Sequence, residues 1–310
     1  MSFIDINEAI QRLKAEDVVS LPTETVYGLA GSIKSEKALN KIFKIKERPF
    51  FDPLIVHINN ANQVKDLVSY YQKDIIAKLA QNFWPGPLTI VLPKNNNVPH
   101  LVTSGLPTVA LRIPNNKYFL EAITSVGPLA APSANKFGKT SPTSANHVLE
   151  EFKNEVPVVD DGDCSVGIES TILEINQEGF KILRPGIITK QQIAEVLEIG
   201  EAEIGINTES ANAPGHLKFH YQPETPLVLT DSPETAADDI SKETGKAIKK
   251  TYELKLPEDP LLFARTMYSE FRRASKKDVD LLVLNHHKKN TGIWGSIENR
   301  LTRAATWDLR

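Results

Sequence analysis

An α/β fold is predicted from three observations. Short apolar runs alternate with amphipathic segments over the first 200 residues, prolines stand directly after several of those runs, and the alternation fades near Gly200 before a shorter second stretch resumes it. The apolar runs lie at 18–21, 54–58, 88–92, 109–113, 129–131, 156–159, 171–175 and 180–183. Each has the length of a strand, and most have a turn residue at one end or both. Pro22, Pro93, Pro114 and Pro132 follow their runs at once. Proline has no N–H to give to a ladder, so it ends the pairing and hands the chain to a polar loop. Polar chemistry therefore collects at strand ends, where open α/β sheets hold their ligands.

Helical spacing of apolar residues predicts helices over 6–13, 37–46, 61–68, 74–83, 117–123, 142–152 and 190–197. In the second of these the stripe is Leu39, Ile42 and Phe43, and Pro49 and Pro53 forbid its continuation. At 142–152, Ser141 is the expected N-cap and Pro142 the first helical residue. Residues 201–225 are polar and turn-rich without sustained periodicity and read as a linker. Beyond it, a strand at 226–230, a charged stretch to Pro260, a helix at 261–273, a strand at 280–284 and a last helix near 296–305 predict a second, smaller α/β domain. The expected division is 1–200, 201–225 and 226–310. A chain of 310 residues fits it, since single cores rarely grow beyond ~250 residues.

The 36 basic and 39 acidic residues balance to a net charge of -3, which argues against a nucleic-acid backbone as the main partner and leaves room for a local basic groove. A single cysteine, Cys164, excludes internal disulfides. The opening M-S-F-I-D-I-N has neither a basic n-region nor an apolar h-region, and no apolar run approaches the ~18 residues of a membrane span. A cytoplasmic protein without a membrane partner is expected.

The most informative stretch is K-E-R-P-F-F-D-P-L-I-V-H, residues 46–57. It sets Lys46 and Arg48 between a helix and a buried strand that ends in His57, which is how an anion site is built. Cations also cap helix C-termini, and alone this segment would be read that way. In L-P-T-E-T-V-Y-G-L, residues 21–29, two threonines and a glutamate follow a strand directly; such residues serve equally as helix caps. The stretch 128–143 feeds a strand into small polar residues and nearly spells a phosphate-binding loop at Gly138-Lys139-Thr140. Ser133 stands at the place of the first glycine, and the helix is expected to start later. A Walker fold is therefore rejected, and an anion site at the helix start near Pro142 is retained. T-V-A-L-R-I-P, residues 108–114, ends a buried strand on Arg112, suited to fork onto a carboxylate or phosphate or to pair with a neighbouring acid. Residues 160–171 punctuate a loop with Asp160, Asp161, Asp163 and two glycines; without further ligands at calcium-loop spacing, a turn held by aspartates is expected, with no metal. Cys164 reads as a small filler residue, and a closed zinc site is not expected with one cysteine.

These segments, with F-W-P-G-P-L-T, A-P-S-A-N, S-P-T, G-I-E-S-T and L-R-P-G, stand in the order found in the YrdC family, and the resemblance covers residues 1 to about 200 almost continuously. The segment A-P-G-H-L-K-F-H-Y-Q-P and the ending N-R-L-T-R-A-A resemble the two-domain members, the threonylcarbamoyl-AMP synthases with a C-terminal extension. The resemblance implies a twisted, mixed parallel and antiparallel open sheet whose basic concave face takes ATP, L-threonine and bicarbonate or CO2. It implies threonylcarbamoyl-AMP and pyrophosphate as products, a downstream tRNA threonylcarbamoyl transferase as the consumer, and Mg2+ bound through the phosphates. Residue by residue, it implies Thr25, His57, Arg112, Ala131 and Ser170 at threonine, and Arg48, Asp52, Thr108, Ser133, Asn135, Ser141, Arg184 and Tyr221 at ATP. Lys46 and Arg48 are the implied electrostatic catalysts. The reaction asks for no protein nucleophile, only for positioning and for neutralising developing charge. Asp52 departs from the family pattern at its position. The 201–225 segment, with His220 and Tyr221, is expected to close over the nucleotide. A non-catalytic RNA-binding module using the same basic face, and a carbamoyl-transfer maturation factor of the same fold, are the rival readings; weak tRNA binding is compatible with each.

Overall fold

The computed structural model describes residues 3–153, 155–209 and 220–310. Among them, β1 (Val19–Leu21), β2 (Gly28–Ser32), β3 (Ile55–His57), β4 (Leu88–Pro93), β5 (Thr108–Arg112), β6 (Leu129–Ala130), β7 (Thr171–Asn176), β8 (Gly179–Arg184) and β9 (Ile204–Ile206) form one sheet in the order β1-β2-β6-β3-β5-β4-β7-β8-β9. β3–β5, β4–β7 and β8–β9 run parallel and the other neighbours antiparallel, the mixed sheet expected. A second, wholly parallel sheet has the order β11-β12-β10-β13, from β10 (Leu227–Thr230), β11 (Thr251–Glu253), β12 (Leu281–Asn285) and β13 (Trp307–Asp308).

Strand alternation divides the large sheet into two faces. Val56, Leu88, Ile90, Leu92, Val109, Leu111 and Leu173 point into the main core, under the helices Glu36–Lys46, Lys73–Phe83 and Lys190–Leu197. Ile55, Val91, Ala110, Ile172 and Leu183 form a small apolar strip on the opposite face. His57 and Arg112 continue that face at the strand ends, each two residues past a member of the strip. A register shift beside Ile172 pairs Arg184 with Ile172 and Ile182 with Leu173. Without it, Arg184 would follow Ile182 into the core. An irregularity of this kind re-aims a side chain, here to the concave face.

Four expectations are corrected. The helix placed at 142–152 is Ala145–Glu151, capped by Ser144, whose hydroxyl accepts from His147 N at 3.3 Å. Ser141 and Pro142 precede it, because Ser141 Oγ is engaged elsewhere, donating to Glu169 Oε1 at 2.6 Å. The helix is thus not the anion site read at Pro142. Residues 156–159 form no strand: Val158 makes single bridges to Phe3 and Ser20. The stretch read as a linker from 201 opens with a 3-10 turn, Glu201–Glu203, and then β9, which lengthens the sheet beside β8, while residues 210–219, including His216, lie outside the described residues. The charged stretch before Pro260 holds a helix, Ala236–Thr244, and β11.

The second sheet packs with the helices Pro260–Ser275 and Ile293–Ala304 around a core that takes in Val26, Ile168 and Tyr221 from outside that unit. The backbones approach closely at Gly167, whose φ is +83°; an added Cβ would lie 2.4 Å from Arg265 Cα. Replacing Gly167 with alanine therefore combines left-handed strain with a backbone clash, and should cost about 2 kcal/mol or more in urea unfolding. An unchanged midpoint would mean that the two units are not pressed together there.

Candidate active site

The hollow lies where the C-terminal ends of the parallel strands β3 and β5 stand side by side, with His57 opposite Arg112. Thr25, Arg48, His57, Arg112, Ala131, Ser133, Arg184 and Tyr221 line it, together with Thr23, Glu169 and His220. Its volume is ≈ 50 Å³. A larger cavity of ≈ 1330 Å³ opens between the units around Thr189, Gln191, Asn290 and Ser296, and it contains none of the residues expected to act.

Arg112 is oriented from three sides. Nε donates to Gly86 O at 3.2 Å, Nη1 to Thr25 Oγ1 at 3.0 Å, and Nη2 forms an ion pair with Glu24 Oε1 at 2.7 Å. Glu24 is itself fixed, its Oε2 accepting from Asn115 N at 3.0 Å. Thr23 closes the turn beneath: its hydroxyl donates to Val26 O at 2.7 Å and accepts from Val26 N at 3.1 Å. The T-E-T segment is therefore a support for the guanidinium and not a helix cap.

Arg48 is held by its own loop. Nε donates to Asp52 O at 3.0 Å, Nη2 donates to Pro53 O at 2.8 Å, and Nη2 pairs with Asp52 Oδ2 at 2.8 Å. Burial draws the guanidinium below its ordinary pKa, and Asp52 opposes the shift. Lys46, the last residue of its helix, is fully buried beneath the hollow. Its ammonium donates to Ser133 O at 2.6 Å and to Asn135 O. Burial and then Arg48 bring its pKa well below the usual lysine range. Lys46 thus fastens the loop that presents Ser133. Asn135 braces the same loop, its Nδ2 donating to Lys136 O at 2.7 Å and Lys139 O at 2.9 Å.

On the far side, Arg184 Nε donates to Ser170 O at 3.0 Å and Nη2 to Ser170 Oγ at 3.1 Å, and Ser170 Oγ lies 2.7 Å from Thr89 Oγ1. Ser170, Ser141 and Asp52 are therefore one bond behind the lining. Thr108 stands apart: it opens β5, on the face of Ala110 and Arg112, about 13 Å before Arg112 along the strand. His57 is a buried, neutral imidazole. Burial first, then Arg112, pushes its pKa down to about 3, and Phe119 packs on it at 4.9 Å.

His220 and Tyr221 form the roof. Tyr221 has a left-handed φ of 67° and stacks on Tyr268 at 5.8 Å. Thr140 Oγ1 donates to Tyr221 O at 3.1 Å, Gln222 N to Gly138 O at 2.9 Å, and His220 N to Arg303 O at 3.1 Å. Glu169, which the sequence reading left unassigned, joins the units: Oε2 accepts from Tyr268 Oη at 3.1 Å and Arg300 Nε at 3.2 Å. Asp160 accepts from Gly162 N at 2.9 Å in the turn expected there, and Cys164 is buried, its thiol pKa raised by burial. Among the described residues, no group of three or more His, Cys, Asp or Glu is disposed around a metal ion, and no helix is long and apolar enough to cross a membrane.

A family model described as telomere recombination matches residues 11–186, and one described as the threonylcarbamoyl-AMP synthase C-terminal domain matches residues 188–306. The threonylcarbamoyl-AMP synthase of Pyrococcus abyssi is 34% identical over 94% of this chain and 91% of its own length. That of Bacillus subtilis is 34% identical over 97% and 92%. The chain belongs to the threonylcarbamoyl-AMP synthase family. The crystal structure of Pyrococcus abyssi Sua5 complexed with L-threonine superposes with a TM-score of 0.86 at 30% identity, covering 100% of this chain and 98% of that one. The two family models meet just after β8. By sequence, the helix Lys190–Leu197 and β9 go with the second model, while in space they pack on the first sheet.

His57 sets a pH dependence. Its folded pKa of about 3 lies below the unfolded value of 6.5, so the unfolded chain binds more protons between them. Its contribution to stability is full above pH 6.5 and falls by about 1.4 kcal/mol per pH unit as acid is added through that window. His57→Asn should flatten the pH dependence of the unfolding free energy between pH 6.5 and 4.5 by about one proton. An unaltered slope would mean that His57 is solvated.

Proposed function

We propose that the chain is a nucleotidyltransferase that condenses L-threonine, bicarbonate or CO2, and ATP into threonylcarbamoyl-AMP and pyrophosphate. The adenylate would pass to a tRNA threonylcarbamoyl transferase in the cytoplasm. The observation that carries this reading is one hollow in which the braced guanidinium of Arg112 faces Arg48 and Arg184 across hydroxyl-bearing loops. The names of the Pyrococcus abyssi and Bacillus subtilis relatives, and threonine in the Pyrococcus abyssi crystal, support the same choice.

In this reading the threonine carboxylate docks on Arg112, whose planar fork matches it, while Thr25, neutral His57, the Ala131 backbone and Ser170 surround the rest of the amino acid. The free amine adds to CO2 and loses a proton, giving a carbamate. A carbamate oxygen then forms a bond to the α-phosphorus as the bond to pyrophosphate breaks. No protein nucleophile is required. Arg48 and Arg184 meet the phosphates, Ser133 and the braced 133–141 loop supply neutral donors, and Lys46 keeps that loop in place. The base and ribose would extend over the apolar strip of Ile55 and Ala110 toward Thr108. Magnesium would enter as part of the nucleotide substrate, because the carboxylates nearest the hollow, Glu24, Asp52 and Glu169, are each paired to an arginine.

Substrate pockets are typically about 300–1,000 Å³. At ≈ 50 Å³ the hollow holds no nucleotide until His220 and Tyr221 move. We assign residues 1–206 to the catalytic unit, the segment around His220 and Tyr221 to a lid and residues 226–310 to a unit that docks against both. Tyr221 is fastened by one hydrogen bond from Thr140 and by its stacking on Tyr268, contacts that a lid can break and remake.

Pyrophosphate release should require both threonine and bicarbonate, each omission abolishing it; release without either would defeat the assignment. Lys46→Ala or Arg48→Ala should lower turnover by about 10²-fold or more. Full activity in those variants would reduce the pair to helix-end charges. Tyr221→Ala should weaken ATP binding or raise ATP hydrolysis uncoupled from threonine, and no change in either would remove the lid.

A further inference from the structure

Arg300 reaches the site from the second unit. It lies in the helix Ile293–Ala304 and is 0% exposed. Its guanidinium makes contacts in three directions. Nε bonds the Glu169 carboxylate at 3.2 Å, Nη2 donates to Glu169 O at 3.3 Å, and Nη1 donates to Pro185 O. The two carbonyls sit beside two of the residues proposed to meet substrate: Glu169 precedes Ser170 and Pro185 follows Arg184. One planar fork thus spans the entry to β7 and the exit from β8, the pair of strand ends where the register shift brings Arg184 to the hollow.

Glu169 passes the constraint on. Its other oxygen accepts from Ser141 Oγ at 2.6 Å, which aims a hydroxyl proposed for the nucleotide. Tyr268 Oη, also from the second unit, donates to Glu169 Oε2 at 3.1 Å, and the same guanidinium lies over the ring of Tyr221 at 5.7 Å. Arg300 and Arg184 keep Glu169 ionised despite its burial, so the charges of Arg300 and Glu169 cancel locally while Arg184 stays a cation at the lining. Arg300 itself does not line the hollow.

We propose that Arg300 and Glu169 are positioning residues for the nucleotide side of the reaction: through them the second unit fixes Arg184, Ser141 and Tyr221, so the ATP site is incomplete without the second unit. The inference rests on the synthase reading above. Most of the threonine side is built separately: Arg112 is braced by Thr25, Glu24 and Gly86, all outside the second unit, and of the residues proposed for threonine only Ser170 touches this network, through Arg184.

The test uses the full chain and compares wild type, Arg300→Lys, Arg300→Met and the double variant Arg300→Met/Glu169→Gln. Lysine keeps the charge without the fork, and the double variant removes both buried charges together, which restores thermal stability lost by stranding one of them. The expected result is a rise of about tenfold or more in the KM for ATP in all three variants, with threonine affinity, read by calorimetry, changed by less than about threefold. The double variant should recover its melting temperature and keep the ATP defect. Loss of ATP and threonine binding in parallel with the melting temperature, recovered together in the double variant, would make the network merely structural and overturn the proposal. So would unchanged ATP kinetics. Absence of threonine-dependent pyrophosphate release in the wild type would instead strike the synthase reading itself.

Discussion

Five cationic side chains, Lys46, Arg48, Arg112, Arg184 and Arg300, are buried around one small hollow, and the architecture of the site follows from what each needs. A cation out of water must meet oxygen at close range or lose its charge. Here carbonyls supply much of that oxygen. Gly86, Asp52, Pro53, Ser133, Asn135, Ser170 and Pro185 all turn a carbonyl to a cation. Carbonyls free to do so occur where strands end, because within a strand they are committed to the ladder. The prolines that stop pairing at strand ends and the cations gathered there are two parts of one arrangement.

Carboxylates do the rest, and they also prevent a run of like charges from forcing the loops apart. Glu24 faces Arg112, Asp52 faces Arg48 and Glu169 faces Arg300. Burial first, and then Arg48, lowers the pKa of Lys46, burial also lowers that of Arg48, and Asp52 acts against both shifts. Asp52 is therefore part of the local charge balance in this chain.

Much of this was readable in the sequence. The apolar runs that end at His57 and Arg112 mark both as strand-end groups, and the prolines mark where polar groups gather. What was hidden depended on geometry that periodicity does not carry. Counting by twos from Ile182 sends Arg184 into the core; only the register shift at Ile172 reverses it. Ser141 and Pro142 have the chemistry of a helix start, yet tertiary hydrogen bonding to Glu169 outcompetes the local cap, and Ser144 takes that role three residues later. β9 is brief, and only Ile204 of its three residues is buried, so its membership of the sheet rests on backbone pairing with β8 rather than on composition. Glu169 was visible as part of G-I-E-S-T. Its partner Arg300 lies 131 residues away, in an ending that local reasoning connects to nothing.

The small hollow and its buried charges bear on catalysis together. Desolvating cations and orienting their donors is costly, and in this fold that cost is met during folding by packed carbonyls and carboxylates. A phosphate arriving there finds donors already aimed, in surroundings where each contact is stronger than in water. Loose water would screen those contacts and offer a competing acceptor for the α-phosphate. A roof made from Tyr221, stacked on Tyr268 and lying under Arg300, suits that requirement because it is held by the same second-unit residues that hold Glu169.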